Sequence, residues 1–534
     1  MKQFEYRRYL TEIDTTSTRH IFTDCLVVGG GVAGFRAAIE AAESCNVMVV
    51  CKGAISDSNT WNAQGGIAAV LRSDDSLDSH IADTLSAGCG LCDEAIVRQV
   101  VQEGPDLVRQ LLEWGTEFDQ IDGKFDVTLE GGHSHARVAH AHGDSTGRGI
   151  IEGLVRKIEK IDNIHVTENF FVVDIITNDD GQCVGVIGRR DDAEMEVVWA
   201  ANTILATGGA GRLYRETTNP KIATADGLAM AFRAGAILCD LEFMQFHPTT
   251  LYIAGASRAL ITEALRGEGA ILVDCEGNSF MKEYHASAEL APRDVVSRAI
   301  LDRMLKTNTT HVYLDIRHFD KSYFKKRFPL ISELCESFDI DVSVDLIPVR
   351  PSAHYMLGGI KVDNNAATSI PNLYACGEVA ATGLHGANRL GSNSLLEGLV
   401  FGKIAGKQAS RQTGDAHLRY RKMKYDIPRS DRSRLDADDV RNSLRALMWR
   451  NVGITRKDQM LEESKEIISF WQRYVMDKVF DKPYGWECQN MLSVSLLMAQ
   501  AAQNRRESRG VHYRGDYSER NDKDFAKHFE VLRK

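Results

Sequence analysis

The chain has 534 residues, of which 43% are hydrophobic and 26% charged, with a formal net charge of −10. That make-up suits a globular protein of roughly two to four structural units and argues against nucleic acid or an anionic membrane as the main partner. No apolar run reaches the roughly 18 residues needed to cross a bilayer. The segment 1–20 is polar, with Glu5, Glu12 and Asp14, and lacks a secretory pattern, while the eleven cysteines follow no disulfide framework, so the expected setting is the reducing cytoplasm.

The first organised element is an apolar run, Leu26 to Val28, read as a buried strand. It breaks at Gly29, and an Ala-rich helix follows from near Val32. Gly29, Gly31 and Gly34, with Gly30, Val32 and Ala33 between them, fit G-x-G-x-x-G. Gly29 permits the tight turn, Gly31 lets a pyrophosphate approach the backbone, and Gly34 lets helix pack on strand. The helix start offers free N–H groups and a positive dipole end to phosphate. With a second strand at Asn46 to Val50, this predicts a dinucleotide site. The acidic residue expected about 20 positions on is missing, and Cys51 and Lys52 stand there instead. That argues against an ordinary NAD site and suggests a cationic contact from Lys52, the alternative being a solvated strand end.

Next, a polar Gly-bearing loop, with Asn59, Thr60, Ala63, Gln64, Gly65 and Gly66, is suited to lie against a flavin ring or phosphate. Residues 78–112 read as helical, and Cys89 and Cys92 form a C-x-x-C with no second pair, which argues against zinc. Glu130 opens a segment with four histidines, His133, His135, His140 and His142. Lacking acidic or cysteine co-ligands at helical spacing, it reads as a polar loop near a ligand rather than a metal site. Residues 164–201 alternate as a β-hairpin insertion around an Asn-Asp-Asp-Gly turn at 178–181. A further buried strand then ends in glycines at 208–211, and Asp226 opens an Ala-rich helix.

The central block is denser in chemistry. It carries Glu242-Phe-Met-Gln-Phe-His247-Pro-Thr, then Thr262-Glu263-Ala-Leu-Arg266-Gly-Glu-Gly, Ala-Pro-Arg293-Asp, and Ser-Ala-His354. Cys-Gly-Glu378 and Asn-Arg389-Leu-Gly-Ser392-Asn-Ser394-Leu395 follow. The Gly-rich pieces at both ends match strand-to-helix turns of one nucleotide-binding domain, so about 243–352 is predicted to be inserted. From about Arg419 the chain reads as charged and helical, ending in a solvated tail.

Taken together, the Ala-Gln-Gly-Gly-Ile loop, the His-Pro-Thr, the Thr-Glu-x-x-Arg-Gly-Glu-Gly, the Arg-Asp and the Asn-Arg-Leu-Gly-x-Asn-Ser-Leu resemble the succinate dehydrogenase/fumarate reductase flavoprotein superfamily over essentially the whole chain. The resemblance implies an α/β fold: a Rossmann-like FAD-binding domain (20–242 and 353–415), an inserted capping α+β domain (243–352), and a C-terminal helical domain with its tail (416–534). Two residues choose the branch. Respiratory members carry a histidine bonded covalently to FAD, and here that place is Asn59, which implies non-covalent FAD. Glu130, before Gly-Gly-His-Ser-His, resembles the pattern of the L-aspartate oxidase family, in which a carboxylate faces the substrate amine.

That branch implies oxidation of L-aspartate to iminosuccinate with O2 (giving H2O2) or fumarate as acceptor. This would be the first step of de novo NAD biosynthesis, with a quinolinate synthase as possible partner. It implies catalytic roles for Arg293, Glu263, Arg266, Glu130 and His247, with Thr262, His354, Arg389 and Ser392 holding the substrate. The FAD contacts would be Gly29 to Gly34, Lys52, Asn59, Thr60, Ala63 to Gly66, Asp226, Glu378, Ser394 and Leu395, with no metal. The alternative is a soluble fumarate reductase or succinate dehydrogenase flavoprotein subunit.

Overall fold

The apolar run ahead of the glycine turn is the end of strand β1 (Arg19–Val28), followed by helix α1 (Val32–Ala41) and strand β2 (Val47–Val50). The computed structural model describes residues 7–191, 193–255, 258–411, 421–428 and 430–533. The predicted domain boundary at 415/416 and Glu5 lie outside them. Beyond β2 the same sheet gains β3 (Ile164–Thr167), β4 (Phe170–Thr177), β5 (Cys183–Arg190) and β6 (Met195–Leu205). The order is β4-β5-β6-β1-β2-β3, with β1, β2, β3 and β6 mutually parallel where they pair. The ends of β1 and β6 and all of β2 are buried, as expected for parallel strands covered on both faces. Strand β6 does two jobs along its length. Its first half pairs antiparallel with the β4–β5 hairpin, and its last three residues pair with a late strand, Leu373–Ala375. The hairpin insertion and the return of the chain to the first domain therefore meet on one strand.

A second sheet is antiparallel and consists of β7 (Met244–Leu251), Ile271–Val273, Val312–Asp315 and β8 (Ile347–Met356). It has its own apolar cluster, spanning Leu251 to Val349, into which Val296 and Ile300 of helix α2 (Arg293–Lys306) also pack. This is the capping α+β domain, and 243–352 is kept as its proposed extent.

Helix α3 (Asn393–Arg411) lies on α1. The close approach is written as Gly398, Gly402 and Gly406, one per turn of α3. A Cβ on Gly402 would stand 2.6 Å from the Ala33 carbonyl oxygen, and one on Gly398 2.7 Å from a Val32 methyl. The stripe brings the start of α3, with Ser394 and Leu395, beside the start of α1. Gly402→Val is therefore expected to cost about 1–3 kcal/mol by overpacking, read by thermal unfolding.

Helices α4 (Ala437–Asn451), α5 (Asp458–Val475) and α6 (Pro483–Asn504) form the C-terminal helical domain. Leu444, Met448, Ile468, Met491 and Met498 belong to the same apolar cluster as the first sheet. The predicted solvated tail holds for 515–533, where no residue is buried, and is corrected for 505–514. Arg505, Glu507, Arg509, His512 and Arg514 are all buried. Arg505 pairs with Glu242 at 2.5 Å, Arg509 with Glu507 at 2.7 Å, and Arg514 with Asp516 at 2.8 Å. Buried charge is tolerated when paired, and a count of charged residues says nothing about pairing. Among the described residues, no helix is long and apolar enough to cross a membrane.

Candidate active site

At the β1–α1 turn, Gly29 has φ +120°, and a Cβ on Gly34 would overlap the Gly29 carbonyl. Only glycine allows that turn and that helix-to-strand contact. Gly31 caps α1 without a side chain, so the first N–H groups stay open, apart from Val32 N–H, which donates to Thr60 Oγ1 at 3.1 Å. Facing them is a cavity of about 1180 Å³. It is lined by Gly29 to Ala33, Lys52, Asn59, Thr60, Ala63, Gln64, Asp226, Glu378, Ser394 and Leu395, and it reaches His354 and Arg389 at its far end. Of the expected cofactor residues, Gly34, Gly65 and Gly66 do not line it. Gly66 instead lets the loop pass the Ala139 carbonyl.

Lys52 corrects an expectation. Its ammonium lies 2.7 Å from Asp226 Oδ2 and 2.5 Å from Glu487 Oε1, and donates to Thr224 Oγ1 at 2.7 Å. It is not a solvated strand end: it lines the cavity while paired with two carboxylates. It braces one end of the cavity by tying β2 to helix α6. Asn490 of α6 donates to the other oxygen of Asp226 at 2.7 Å.

Beyond the far end, charged groups from both domains gather in the interior. Glu263 stands just ahead of the short helix Ala264–Gly267 and takes Arg293 Nε at 2.6 Å, with Arg266 Nη2 in ion-pair contact at 3.0 Å but without hydrogen-bond alignment. Glu130 Oε2 accepts from Ser392 Oγ at 2.9 Å, while Glu130 Oε1 has no hydrogen-bond partner. A Cβ on Gly391 would stand 3.2 Å from Glu130 Oε2, 3.3 Å from Arg293 Nη2 and 3.4 Å from Glu263 Oε2, so the loop backbone runs between the three charges. None of Glu130, Glu263, Arg266, Arg293, His247, Thr262 and Ser392 lines the large cavity. They form the wall next to it, joined to Arg389 through Gln245.

Gln245 escaped the sequence reading. Its Oε1 accepts from Arg293 Nη1 at 3.3 Å and from Arg389 Nε at 3.2 Å, and its Nε2 donates to the Arg389 carbonyl at 2.9 Å. The available signal was its place two residues before His247 on one strand. Tyr355 was also missed. It lies 4.3 Å under the Arg389 guanidinium, and its hydroxyl donates to Glu397 at 2.9 Å. The His247 and His354 rings meet edge to face at 5.2 Å, and His354 Nδ1 bonds Thr218 Oγ1 at 2.9 Å.

Burial dominates the electrostatics. It pushes Glu130 up to about 7, with the neighbouring Glu263 charge adding to the shift. Burial alone would raise Glu263 too, but Arg293 and Arg266 outweigh it and hold that carboxylate below its ordinary range. His247 falls well below its usual value through burial and then Arg293, and His354 through burial and then Arg389. Both imidazoles are neutral donors or acceptors at pH 7. Two carboxylates side by side are thus set apart, one firmly ionised and one titrating near neutrality.

A profile described as "FAD binding domain" matches residues 24–395, and one described as "Fumarate reductase flavoprotein C-term" matches 441–534. The L-aspartate oxidase of Streptomyces coelicolor is 40% identical, covering 96% of this chain and 91% of its own. That of Yersinia pestis is 40% identical, covering 94% and 97%. The chain belongs to the L-aspartate oxidase family. Among solved structures, the FrdA chain of E. coli quinol fumarate reductase is 33% identical, with a TM-score of 0.89 over 96% of this chain and 94% of that one. Mycobacterium smegmatis Sdh1 is also 33% identical, at 0.81 over 94% and 90%.

FAD is the family's cofactor, and the residues present fit it. The uncapped start of α1 faces the cavity, and Gln64 Oε1 and Thr207 Oγ1, both of lining residues, are buried without a partner. Asn59, at the place of the covalent histidine, donates to Glu378 Oε2 at 3.0 Å and has no nucleophilic ring nitrogen. Acid precipitation is therefore expected to release all flavin into the supernatant; yellow colour in the washed pellet would contradict this.

The four histidines do not converge. His133 bonds the Gly391 carbonyl, His140 bonds Thr128, and His135 bonds Ser79. Among the described residues, the one group of three with metal-ligating atoms close together is Cys239, Asp240 and His528, where His528 already bonds Asp240 at 2.5 Å.

Proposed function

We propose that this chain oxidises L-aspartate to iminosuccinate, with O2 (giving H2O2) or fumarate as final acceptor, as the entry to quinolinate and NAD biosynthesis. When bound, FAD supplies the two-electron acceptor for the hydride that leaves the substrate α-carbon. Everything else falls to the chain's own side chains. Arg389, kept flat by Tyr355 and Gln245, offers a bidentate fork to one carboxylate. Neutral His247 and His354, with Thr262, are the uncharged donors for the carboxylates. Arg293, held by Glu263 and backed by Arg266, contributes positive charge beside the reacting carbon.

As the C=N bond forms, the ammonium loses one proton. Glu130, titrating at about 7, is the group we assign to face the ammonium and take that proton. The observation that carries this reading is Glu130 itself, a buried carboxylate with one unpartnered oxygen beside the Arg293–Glu263 pair. A dicarboxylate without an amine gives it nothing to bind. The likeness to the fumarate reductase chain supports fumarate as an acceptor. Iminosuccinate hydrolyses readily, so a quinolinate synthase that consumes it directly is the partner we propose, with the cytoplasm as the place of action.

The test is peroxide and oxaloacetate formation by the FAD-loaded protein. L-Aspartate is expected to be turned over and succinate not. Turnover of succinate alone would favour the dehydrogenase reading instead.

A further inference from the structure

The histidine-rich segment left one buried cluster that the chemistry above does not use. Arg137, fully buried, is gripped by Asp75 through Nε and Nη2, both at 2.8 Å, and by Asp83 at 2.5 Å. Its Nη1 also points at His133 Nδ1, at 3.2 Å. On the other side of the ring, His133 Nε2 lies 3.0 Å from the Gly391 carbonyl oxygen. A carbonyl only accepts and a guanidinium only donates. His133 is therefore fixed as the neutral tautomer, with its proton on Nε2.

The carbonyl that His133 holds precedes Ser392, which sits in the left-handed region at φ +62°. That conformation is costly for a residue with a Cβ and persists only where the surroundings enforce it. Ala68 N–H holds the Ser392 carbonyl at 3.0 Å, and the Ser392 hydroxyl is thereby aimed at Glu130. The ring closes through the backbone, since His133 N–H donates to the Glu130 carbonyl at 3.1 Å.

We propose that His133 is a positioning residue: held in one tautomer by Arg137, it fixes Gly391 and so aims the Ser392 hydroxyl at Glu130, setting the pH at which that carboxylate becomes the amine's partner. This rests on the aspartate reading of the site. The groups facing Glu130 are Glu263, Arg293 and Arg266, with His140 Nε2 3.9 Å away and Ser392, among the described residues, the one hydrogen-bond donor to its carboxylate. Those facing His133 are Arg137, Asp83, Glu263 and, at 6.0 Å between ring centres, His80. Burial takes His133 down to about 4 and His80 to about 3, so neither changes charge in the working range. The Ser392 bond lowers the Glu130 pKa. Losing it raises that pKa.

The experiment is the pH profile of kcat/KM for L-aspartate with the FAD-loaded protein. The wild type is expected to show an acid limb near 7. His133→Leu should move that limb up by about one unit or more, the scale of one hydrogen bond to a charged group. His133→Gln, whose amide can still reach the Gly391 carbonyl, should restore it. Ser392→Ala should move the limb as His133→Leu does, and the double variant should move it no further. If His133→Leu does not retain FAD, His133→Asn, whose amide stops short of Gly391, is read in the same way. An unmoved limb in His133→Leu or His133→Asn while Ser392→Ala moves it would overturn the proposal. So would an equal fall at every pH, which is what a merely structural role predicts. Failure of the wild type to oxidise aspartate would sink the parent reading, whereas wild-type turnover with unmoved variants would sink this one alone.

Discussion

Replacing Arg293 by leucine is expected to leave a folded, FAD-bound protein whose turnover with both L-aspartate and fumarate falls by about a hundred- to a thousandfold. The scale comes from removing one preorganised charge or donor at a site of developing charge, which costs roughly 10²–10³ in rate. Both substrates suffer because Arg293 acts at the reacting carbon and not at the amine. Folding should survive because Glu263 keeps a second cation. Arg266, fully buried, remains 3.0 Å from it, so the substitution does not strand an isolated charge, the case that would cost about 3–5 kcal/mol. Arg293→Lys keeps the charge but loses the fork that reaches Glu263 and Gln245 together, so only partial recovery is expected. Retention of more than about a tenth of wild-type turnover by Arg293→Leu would reduce Arg293 to a structural ion pair.

How far the sequence spoke depends on whether a residue's role is local. The β1–α1 turn was legible because the positive φ of Gly29 and the contact of Gly34 with the Gly29 carbonyl are local, and the 164–201 hairpin because alternation and turn chemistry are local too. Lys52 was not, because its partners Asp226 and Glu487 arrive from 174 and 435 positions further along. The tail misled for the same reason: Arg505 looks solvated until Glu242 is brought against it. Glu263 and Arg293 could be named from motif resemblance, but only the fold shows that Gln245 links Arg293 to Arg389. The histidines make the point most sharply. Four in ten residues look like one feature, yet the rings of His133, His135 and His140 serve separate hydrogen bonds, and the use of His133 depends on a carbonyl 258 positions away.

Glu130→Gln is expected to lower kcat/KM for L-aspartate roughly 10- to 100-fold while leaving fumarate reduction unchanged or improved. A carboxylate about 4 Å from an ammonium gains roughly 4 kcal/mol at an effective dielectric near 20. Desolvation of both groups cancels part of this, and a net hydrogen bond to a charged group is worth about 1.5–3 kcal/mol. At about 1.4 kcal/mol per tenfold, that gives the stated range. Fumarate has no amine, so its reaction loses only a buried carboxylate that faces Glu263. The stability consequence has the opposite sign. Burial raises Glu130 to about 7 in the folded protein, above its value of about 4.3 in an unfolded chain. Its contribution is therefore fully present below about 4.3 and lost as pH rises through 7. Glutamine carries no such loss, so above pH 7 the variant should unfold at a higher temperature than the wild type, even as it works less well on aspartate. Steady-state kinetics on both substrates, with thermal unfolding at pH 8, read the two effects together. An equal fall on aspartate and fumarate with a lower unfolding temperature would mean that Glu130 only supports the Gly131–Gly132 turn, and the amine-facing role would be rejected.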